Sequence, residues 1–391
     1  MASIGVPVVD DSVVIRRMVA SVLDDDPEID VVGTAANGRI ALDKLPQLRP
    51  DIVILDVEMP IMDGLETLRA LRRTHPHLPV VMFSTLTERG ASATLDALAA
   101  GATDYVTKPS HVGSVSASIE RVRSELVPKI KGLVGANRER TAPPTTFTPA
   151  PVTQPVRQDR VDVIAVGCST GGPDALTAIV AGLPADLAVP VVVVQHMPPL
   201  FTRLFAERLD RSCPLLVREA TDGLTLSPGQ ILVAPGDRHL VLRRQGVDVV
   251  AQITQEPPEN YCRPSVDVLF RSVAAVYGNG ALACVLTGMG RDGVKGAERV
   301  RAAGGRIIVQ DQATSVVWGM PGAVAAAGLA NDIVALPQLA ETLQVATSAG
   351  RRPSVHHRVL PASPPGSAAP GQAPVGAGVG AAPGQAFRSA W

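Results

Sequence analysis

Val161-Asp162-Val163-Ile164-Ala165-Val166-Gly167-Cys168-Ser169-Thr170-Gly171-Gly172-Pro173 passes from an apolar, β-rich run into the start of a helix, with a glycine two residues to either side of Ser169. A strand that turns sharply into a helix sets such a serine at the carboxyl edge of a sheet, its hydroxyl beside a helix N-terminus. That placement suits a nucleophile. The alternative is that Ser169 only caps the helix beginning near Pro173. Strand running straight into helix is the unit of a parallel α/β sheet, so the neighbouring chain should alternate the same two patterns.

It does so in two regions. In the first, Val6 to Val9, Val31 to Ala35, Ile52 to Leu55, Val80 to Phe83 and Asp104 to Val106 read as strands. Helical patterns follow them at Val13 to Leu23, Arg39 to Leu45, Leu65 to Arg73, Ala91 to Ala100 and Val115 to Leu126. Five βα units predict a doubly wound parallel sheet. In the second region, strands are expected at Val161 to Val166, Val189 to Gln195, Ile231 to Val233, Ala281 to Leu286 and Arg306 to Val309. Helical patterns lie between several of them, and Gln245-Gly246 divides two β-rich runs between Leu240 and Ile253, which allows an antiparallel hairpin. Periodicity stops near Gly132, and five prolines fall between Pro143 and Pro155, the mark of a semi-rigid linker. From Pro361 to Trp391, 24 of 31 residues are Pro, Ala, Gly or Ser, too few large apolar groups to offset ordering entropy. The expected organisation is two doubly wound α/β domains at 1–127 and 161–350, a Pro-rich linker at 128–160 and a disordered tail at 351–391.

With 36 basic against 37 acidic residues, the chain has no net field to attract nucleic acid or an anionic membrane. No apolar run approaches the roughly 20 residues needed to span a bilayer, and Asp10 and Asp11 come too early for a signal peptide. The cysteines, at 168, 213, 262 and 284, have neither a local zinc-binding spacing nor the look of a disulfide framework. A reducing, cytoplasmic location is expected.

In the first region, Asp10-Asp11, Asp56 and Lys108-Pro109 stand at strand carboxyl ends, which converge on one edge of a doubly wound sheet. Three converging carboxylates repel one another unless a cation lies between them, and oxygen-only ligation suits Mg2+. One carboxylate could then attack a phosphoryl donor while the metal and a lysine neutralise its oxygens. Taken singly, Asp11 or Ser12 could be a helix N-cap and Lys108 a solvated strand end. In the second region, a nucleophilic Ser169 needs a base and a group to orient that base. His196 follows an apolar run, and Asp292 follows the glycine-rich Thr287-Gly288-Met289-Gly290-Arg291. That loop could turn backbone N–H groups toward an oxyanion. His239 is a rival base, Asp267 and Asp311 are rival orienting acids, and Asp292 could merely cap the next helix. Cys168 is expected to face inward as a small apolar filler.

Val8-Val9-Asp10-Asp11-Ser12, Leu55 through Gly64, Phe83-Ser84 and Lys108-Pro109 resemble a response-regulator receiver domain over about residues 4–127. The resemblance implies that Asp56 is phosphorylated, that Asp10, Asp11 and Asp56 hold Mg2+, that Ser84 is the switch hydroxyl with Thr85 a competitor, that Lys108 contacts the phosphoryl group, and that Tyr105 is the switch aromatic. Pro7 departs from the family pattern, because a missing N–H within the sheet costs a ladder bond. Val166 through Gly172, Gln195-His196-Met197-Pro198, Ala234 through His239, Arg263 through Asp267, Leu286 through Gly293 and Gly319-Met320-Pro321 resemble the catalytic domain of chemotaxis protein-glutamate methylesterases. This second resemblance implies a Ser169, His196, Asp292 triad, with Thr170 beside the histidine and the Met289 N–H in the oxyanion hole. Cys168, Gln312 and Trp318 depart from the usual pattern there. The two together imply a phosphorylation-gated hydrolase acting on methyl-accepting chemoreceptors, with a chemotaxis histidine kinase as phosphodonor, glutamine deamidation by the same route, and no cofactor for the ester chemistry. The competing readings are a non-enzymatic response regulator whose second domain binds a partner or anion at Gly171-Gly172, and a methylesterase of another signalling pathway.

Overall fold

A computed structural model describes residues 3–109, 115–141 and 160–348, where the two alternating regions form two separate parallel sheets. The expected disordered tail and the proline cluster of the linker lie outside the described residues.

The first region runs β1 (Ile4–Val9), α1 (Val13–Asp24), β2 (Ile29–Ala35), α2 (Gly38–Leu48), β3 (Val53–Asp56), α3 (Gly64–Thr74), β4 (Val80–Ser84), α4 (Glu88–Ala99), β5 (Asp104–Thr107) and α5 (Val115–Thr141). Its strands lie in the order β2-β1-β3-β4-β5, the flavodoxin-like arrangement. Helices cover both faces of such a sheet, so β1, β3 and β4 are buried along their whole length. Pro7 is accommodated by a local irregularity: β1 pairs with β2, but the register shifts between Gly5 and Pro7.

One boundary differs from expectation. The helix read as ending at Leu126 continues to Thr141, so residues 128–141 are helical rather than linker, with Pro128 inside the helix. A proline in a helix interior costs about 3 kcal/mol or more. Opposing that cost, Val122, Leu126, Ile130, Leu133 and Val134 recur at spacings of three and four residues, or one residue at the end, and all are buried. The three beyond Pro128 are each worth about 1.5–3 kcal/mol, so the stripe outweighs the break.

The second region continues β6 (Val163–Cys168), α6 (Gly172–Ala181), β7 (Val191–Gln195), α7 (Phe201–Ser212), β8 (Leu216–Glu219), β9 (Gln230–Val233), β10 (His239–Gln245), β11 (Asp248–Thr254), α8 (Val266–Tyr277), β12 (Ala281–Val285), α9 (Val294–Ala302), β13 (Arg306–Gln310), α10 (Met320–Ala326), β14 (Asp332–Val334) and α11 (Leu336–Ser348). Seven strands form a wholly parallel sheet in the order β14-β13-β12-β6-β7-β9-β8. The hairpin is present as β10 and β11, antiparallel around Gly246, whose φ of 62° favours glycine. The edge strands β8 and β14 escape sequence reading, being only 4 and 3 residues long and partly exposed. Among the described residues no helix is long and apolar enough to cross a membrane.

Helices α8 and α9 meet at Gly296, where an added Cβ would stand 2.6 Å from Phe270 Cβ and 3.0 Å from Asp267 Cα. Replacing Gly by Ala in a helix gains up to about 1 kcal/mol in propensity, whereas overpacking a tight contact costs about 1–3 kcal/mol. Gly296→Ala should therefore lower the stability of the second region, read as an earlier urea unfolding midpoint; an unchanged or later midpoint would show that the helices can part freely.

Candidate active site

In the second sheet the chain begins at the central β6 and winds outward in both directions, to β7 on one side and β12 on the other. The crevice where the winding reverses lies outside the strand carboxyl ends, the usual ligand position in open α/β sheets. Ser169 leaves β6, His196 leaves β7 and Asp292 lies in the loop after β12. The turn after β6 is tight: Gly172 N donates to Ser169 O at 2.7 Å, and Gly171 takes φ 74°. Gly171 is the N-cap of α6 and makes no side-chain cap bond, so the reading of Ser169 as a cap is corrected. The Ser169 backbone is fixed instead, its N–H donating to Thr287 O at 3.0 Å and its carbonyl accepting from Gln195 Nε2 at 3.0 Å. A Cβ on Gly288 would lie 2.8 Å from Ser169 Cβ, so glycine there lets the following loop close on the serine.

His196 Nε2 and Asp292 Oδ2 are 2.9 Å apart. Asp292 is 2% exposed and is met by an array of donors. Its Oδ1 accepts from Asn260 Nδ2 at 2.8 Å, Ser265 Oγ at 2.9 Å and the Asp267 and Gly293 N–H groups at 3.1 Å, while Oδ2 accepts from Val266 N at 2.7 Å. Burial alone would raise this carboxyl, but His196 and the backbone donors hold it down to about 2. Burial alone would pull the His196 imidazole down, yet its bonds to Asp292 and Cys262 push it up to about 10. The second ring nitrogen, Nδ1, lies 3.6 Å from Cys262 Sγ. Among the described residues, no hydrogen bond joins Ser169 Oγ to His196. Serine and histidine share one cleft of about 690 Å³.

The rival residues have other partners. His239 is fully buried, accepting from Ser265 N at 3.2 Å through Nδ1 and bonding Pro257 O at 3.1 Å through Nε2. Asp267 braces the loop of Asp292, accepting from Gly293 N at 3.0 Å and Gly296 N at 2.6 Å. Asp311 Oδ1 holds Thr314 N at 3.0 Å. Cys168 is buried as expected, and burial pushes its thiol far up. Nor is Asp292 the N-cap of α9, a place taken by Gly293. Asn260, Ser265 and Cys262 are members of the site whose roles sequence reading missed. Asn260 and Cys262 flank the turn at Tyr261, where Asn260 and Tyr261 take φ of 52° and 62°, Ser265 stands at the start of α8, and nothing in residue type signals their meeting.

In the first sheet, ligand oxygens of Asp10, Asp11 and Asp56 come within 4.8 Å of one another. Lys108 Nζ lies 2.7 Å from Asp10 Oδ2 and 2.8 Å from Asp56 Oδ1. Asp56 Oδ2 is buried with no hydrogen-bond partner, and burial, resisted by Lys108 and helped by Asp10, raises that carboxyl to about 6. Such an oxygen, buried among hard donors, fits a divalent cation. Ser12 caps α1, its side chain accepting from Ile15 N. Ser84 is buried, its Oγ donating to Gly90 O at 3.1 Å, whereas Thr85 Oγ1 pairs with Thr87 at an exposed 3.1 Å contact.

The two regions touch beside the cleft. Thr170 Oγ1 donates to Asp104 Oδ2 at 2.6 Å, and Lys129 Nζ lies 2.9 Å from the same oxygen. The Tyr105 ring stacks on Phe201 at 4.7 Å between centroids and 5° between planes. Lys129 also donates to Tyr105 O at 2.7 Å. Tyr105 and Lys129 thus line the same cleft as Ser169, His196 and Met289. Gly132 of α5 faces the Met289 side chain, where an added Cβ would stand 2.5 Å from Cε.

Two family models match the chain, a response regulator receiver domain over residues 6–120 and a CheB methylesterase over residues 164–343. A protein-glutamate methylesterase/protein-glutamine glutaminase of a Nocardioides species is 55% identical over 364 residues, covering 91% of this chain and 98% of the relative. A protein of the same name from Trichodesmium erythraeum is 49% identical, covering 88% of this chain and 99% of the relative. The crystal structure of the Thermotoga maritima CheB methylesterase catalytic domain is 41% identical, covers 48% of this chain and 99% of that one, and superposes with a TM-score of 0.47. With identity at this level along nearly the whole of both sequences, the chain belongs to the protein-glutamate methylesterase/protein-glutamine glutaminase family.

Proposed function

We propose that this chain hydrolyses glutamate γ-methyl esters on methyl-accepting chemoreceptors in the cytoplasm, deamidates receptor glutamines by the same acyl route, and is switched by phosphorylation of Asp56 from a chemotaxis histidine kinase. The observation that carries the reading is the His196–Asp292 pair, 2.9 Å apart in the cleft that also holds Ser169.

The bonds to Asp292 and Cys262 that push the His196 imidazole up favour its protonated form. It acts as a base once Nδ1 is deprotonated and Nε2–H alone donates to Asp292, which leaves the accepting lone pair on Nδ1. To act, Nδ1 leaves Cys262 and meets Ser169 Oγ. Ser169 then attacks the ester carbonyl as its proton passes to His196; the C–O bond breaks and His196 returns the proton to the departing methoxide, giving methanol. Water, deprotonated by the same nitrogen, cleaves the acyl-enzyme to a carboxylate and frees Ser169. With glutamine the leaving group is ammonia. The Met289 N–H faces the developing oxyanion, a contribution usually worth about 10²–10³ in rate. Asp292 orients the ring and stabilises the imidazolium.

In the receiver, Asp10, Asp11 and Asp56 would hold Mg2+, which when bound offsets the negative charge of the incoming phosphoryl group. Asp56 offers the attacking oxygen, Lys108 neutralises a phosphoryl oxygen, and Ser84 exchanges Gly90 O for the new phosphate. Tyr105, two residues before Thr107 and packed on Phe201, carries that change to the cleft. Unphosphorylated, the receiver holds Thr170 through Asp104 and walls the cleft with Tyr105 and Lys129.

Ser169→Ala should reduce methanol release from methylated receptor membranes on the order of 10⁶-fold; release at the wild-type rate would refute the esterase reading. For the switch, a small phosphodonor should stimulate wild type and leave Asp56→Asn unmoved. Asp104→Ala removes a charge-assisted hydrogen bond worth about 1.5–3 kcal/mol from the closed arrangement alone, and should raise the unphosphorylated rate about ten-fold or more. A basal rate no higher than wild type would mean that the Thr170 contact does not restrain the enzyme.

A further inference from the structure

Ring nitrogens usually face oxygen partners, yet His196 Nδ1 faces the sulphur of Cys262 at 3.6 Å. A tetrahedral zinc ion has Zn–N of about 2.0–2.1 Å and Zn–S of about 2.3 Å, which places its nitrogen and sulphur ligands about 3.6 Å apart. The pair is therefore already set at the spacing the metal requires. The opposite nitrogen, Nε2, is held by Asp292, and a histidine that binds metal through one nitrogen commonly gives the other to a carboxylate, which fixes the ring and raises its basicity. Ligand atoms of His196, Cys262 and Asp292 all fall within 4.8 Å of one another, although Asp292 is already saturated with donors and serves to orient the ring. Soft thiolate with imidazole selects zinc over the hard cation that suits the receiver carboxylates.

We infer that His196 Nδ1 and Cys262 Sγ, both lining the cleft, form an inhibitory zinc site there, with Ser169 or water completing the tetrahedron. Binding displaces the thiol proton of Cys262 to solvent and occupies the lone pair that would receive the proton of Ser169. Two protein ligands make a weak, exchangeable site, suited to a reversible brake rather than to holding the fold. Elsewhere in the chain thiols are poorly placed for this: Cys168 and Cys284 are wholly buried, and the Cys213 Sγ contact is Leu215 O at 3.3 Å. Inhibition rests on His196 being the base, as proposed above; metal binding does not.

The test uses the full chain in excess Mg2+, so that the receiver carboxylates are filled. Co2+ should produce a thiolate-to-cobalt charge-transfer band and strong visible bands of a tetrahedral centre, abolished by Zn2+ and absent from Cys262→Ser, but kept in Cys213→Ser. Cobalt held only by carboxylates gives no thiolate band. Zn2+ should stop methanol release, a chelator should restore it, and the inhibiting concentration should rise about 100-fold in Cys262→Ser, at least the loss seen when an outer partner of a metal ligand is removed. A band that survives in folded Cys262→Ser would overturn the site. Wild type that releases methanol but shows no thiolate band would overturn the zinc site alone; wild type that shows the band but releases no methanol would overturn the esterase reading alone.

Discussion

The second domain is arranged around the burial of one carboxylate. An ionised carboxylate taken out of water is tolerable only when its lone pairs are met by donors, and Asp292, 2% exposed, draws five donors besides histidine from three separate segments. Satisfying it dictates local structure. The start of α8 must present the Val266 and Asp267 N–H groups, the turn at Asn260-Tyr261 must take two positive φ values, and α9 must approach close enough to need Gly296. Asp267 then ties α9 back to α8 through Gly293 and Gly296. The orientation of His196 is a product of this network rather than of its own strand.

The parts of this arrangement that were legible in the sequence are those written along a single element. Apolar runs marked β6, β7 and β12, and once the sheet is parallel their carboxyl ends must share an edge, which brings Ser169, His196 and the Asp292 loop together from pattern alone. The five βα units of the first domain, and the parallel sheet they form, followed from the same logic. What was not legible depends on meetings between distant segments. Cys262 touches His196 across 66 residues and Thr170 meets Asp104 across a separation of the same size, and neither pairing leaves a local trace. The far half of α5 was hidden differently: Pro128 and Gly132 read as punctuation, while its buried stripe belongs to a cluster made largely of first-domain residues and joined by Val317 and Met289 of the second domain.

Asp292 and Asp56 are buried to similar degrees and treated in opposite ways. Asp292 is fully satisfied and held down to about 2, a fixed charge that never leaves the carboxylate form near neutrality. Asp56 keeps one oxygen without a partner and is raised to about 6. A saturated carboxylate is a good scaffold and a poor nucleophile, because every lone pair is occupied. An under-satisfied one is costly to bury, and that cost is relieved when a cation or a phosphoryl group arrives. The chemistry each can perform follows from how many donors its neighbours supply.

Between these two sites lies a contact of mixed character, and its composition bears on how a switch could pass through it. The Tyr105–Phe201 stack is an apolar, buried contact between the domains. The Asp104 carboxylate is shared by Thr170 of one domain and Lys129 of the other, so it joins the residue next to Ser169 to the strand that ends at Thr107. The hydroxyl from across the interface and the lysine meet on the same Asp104 oxygen, and a displacement of Tyr105 would move Asp104 with it because they are adjacent on β5. Packed interfaces change by steps rather than by gradual deformation. In the proposed switch, a small movement beginning at Asp56 would release Thr170 and shift the cleft wall at Tyr105 together.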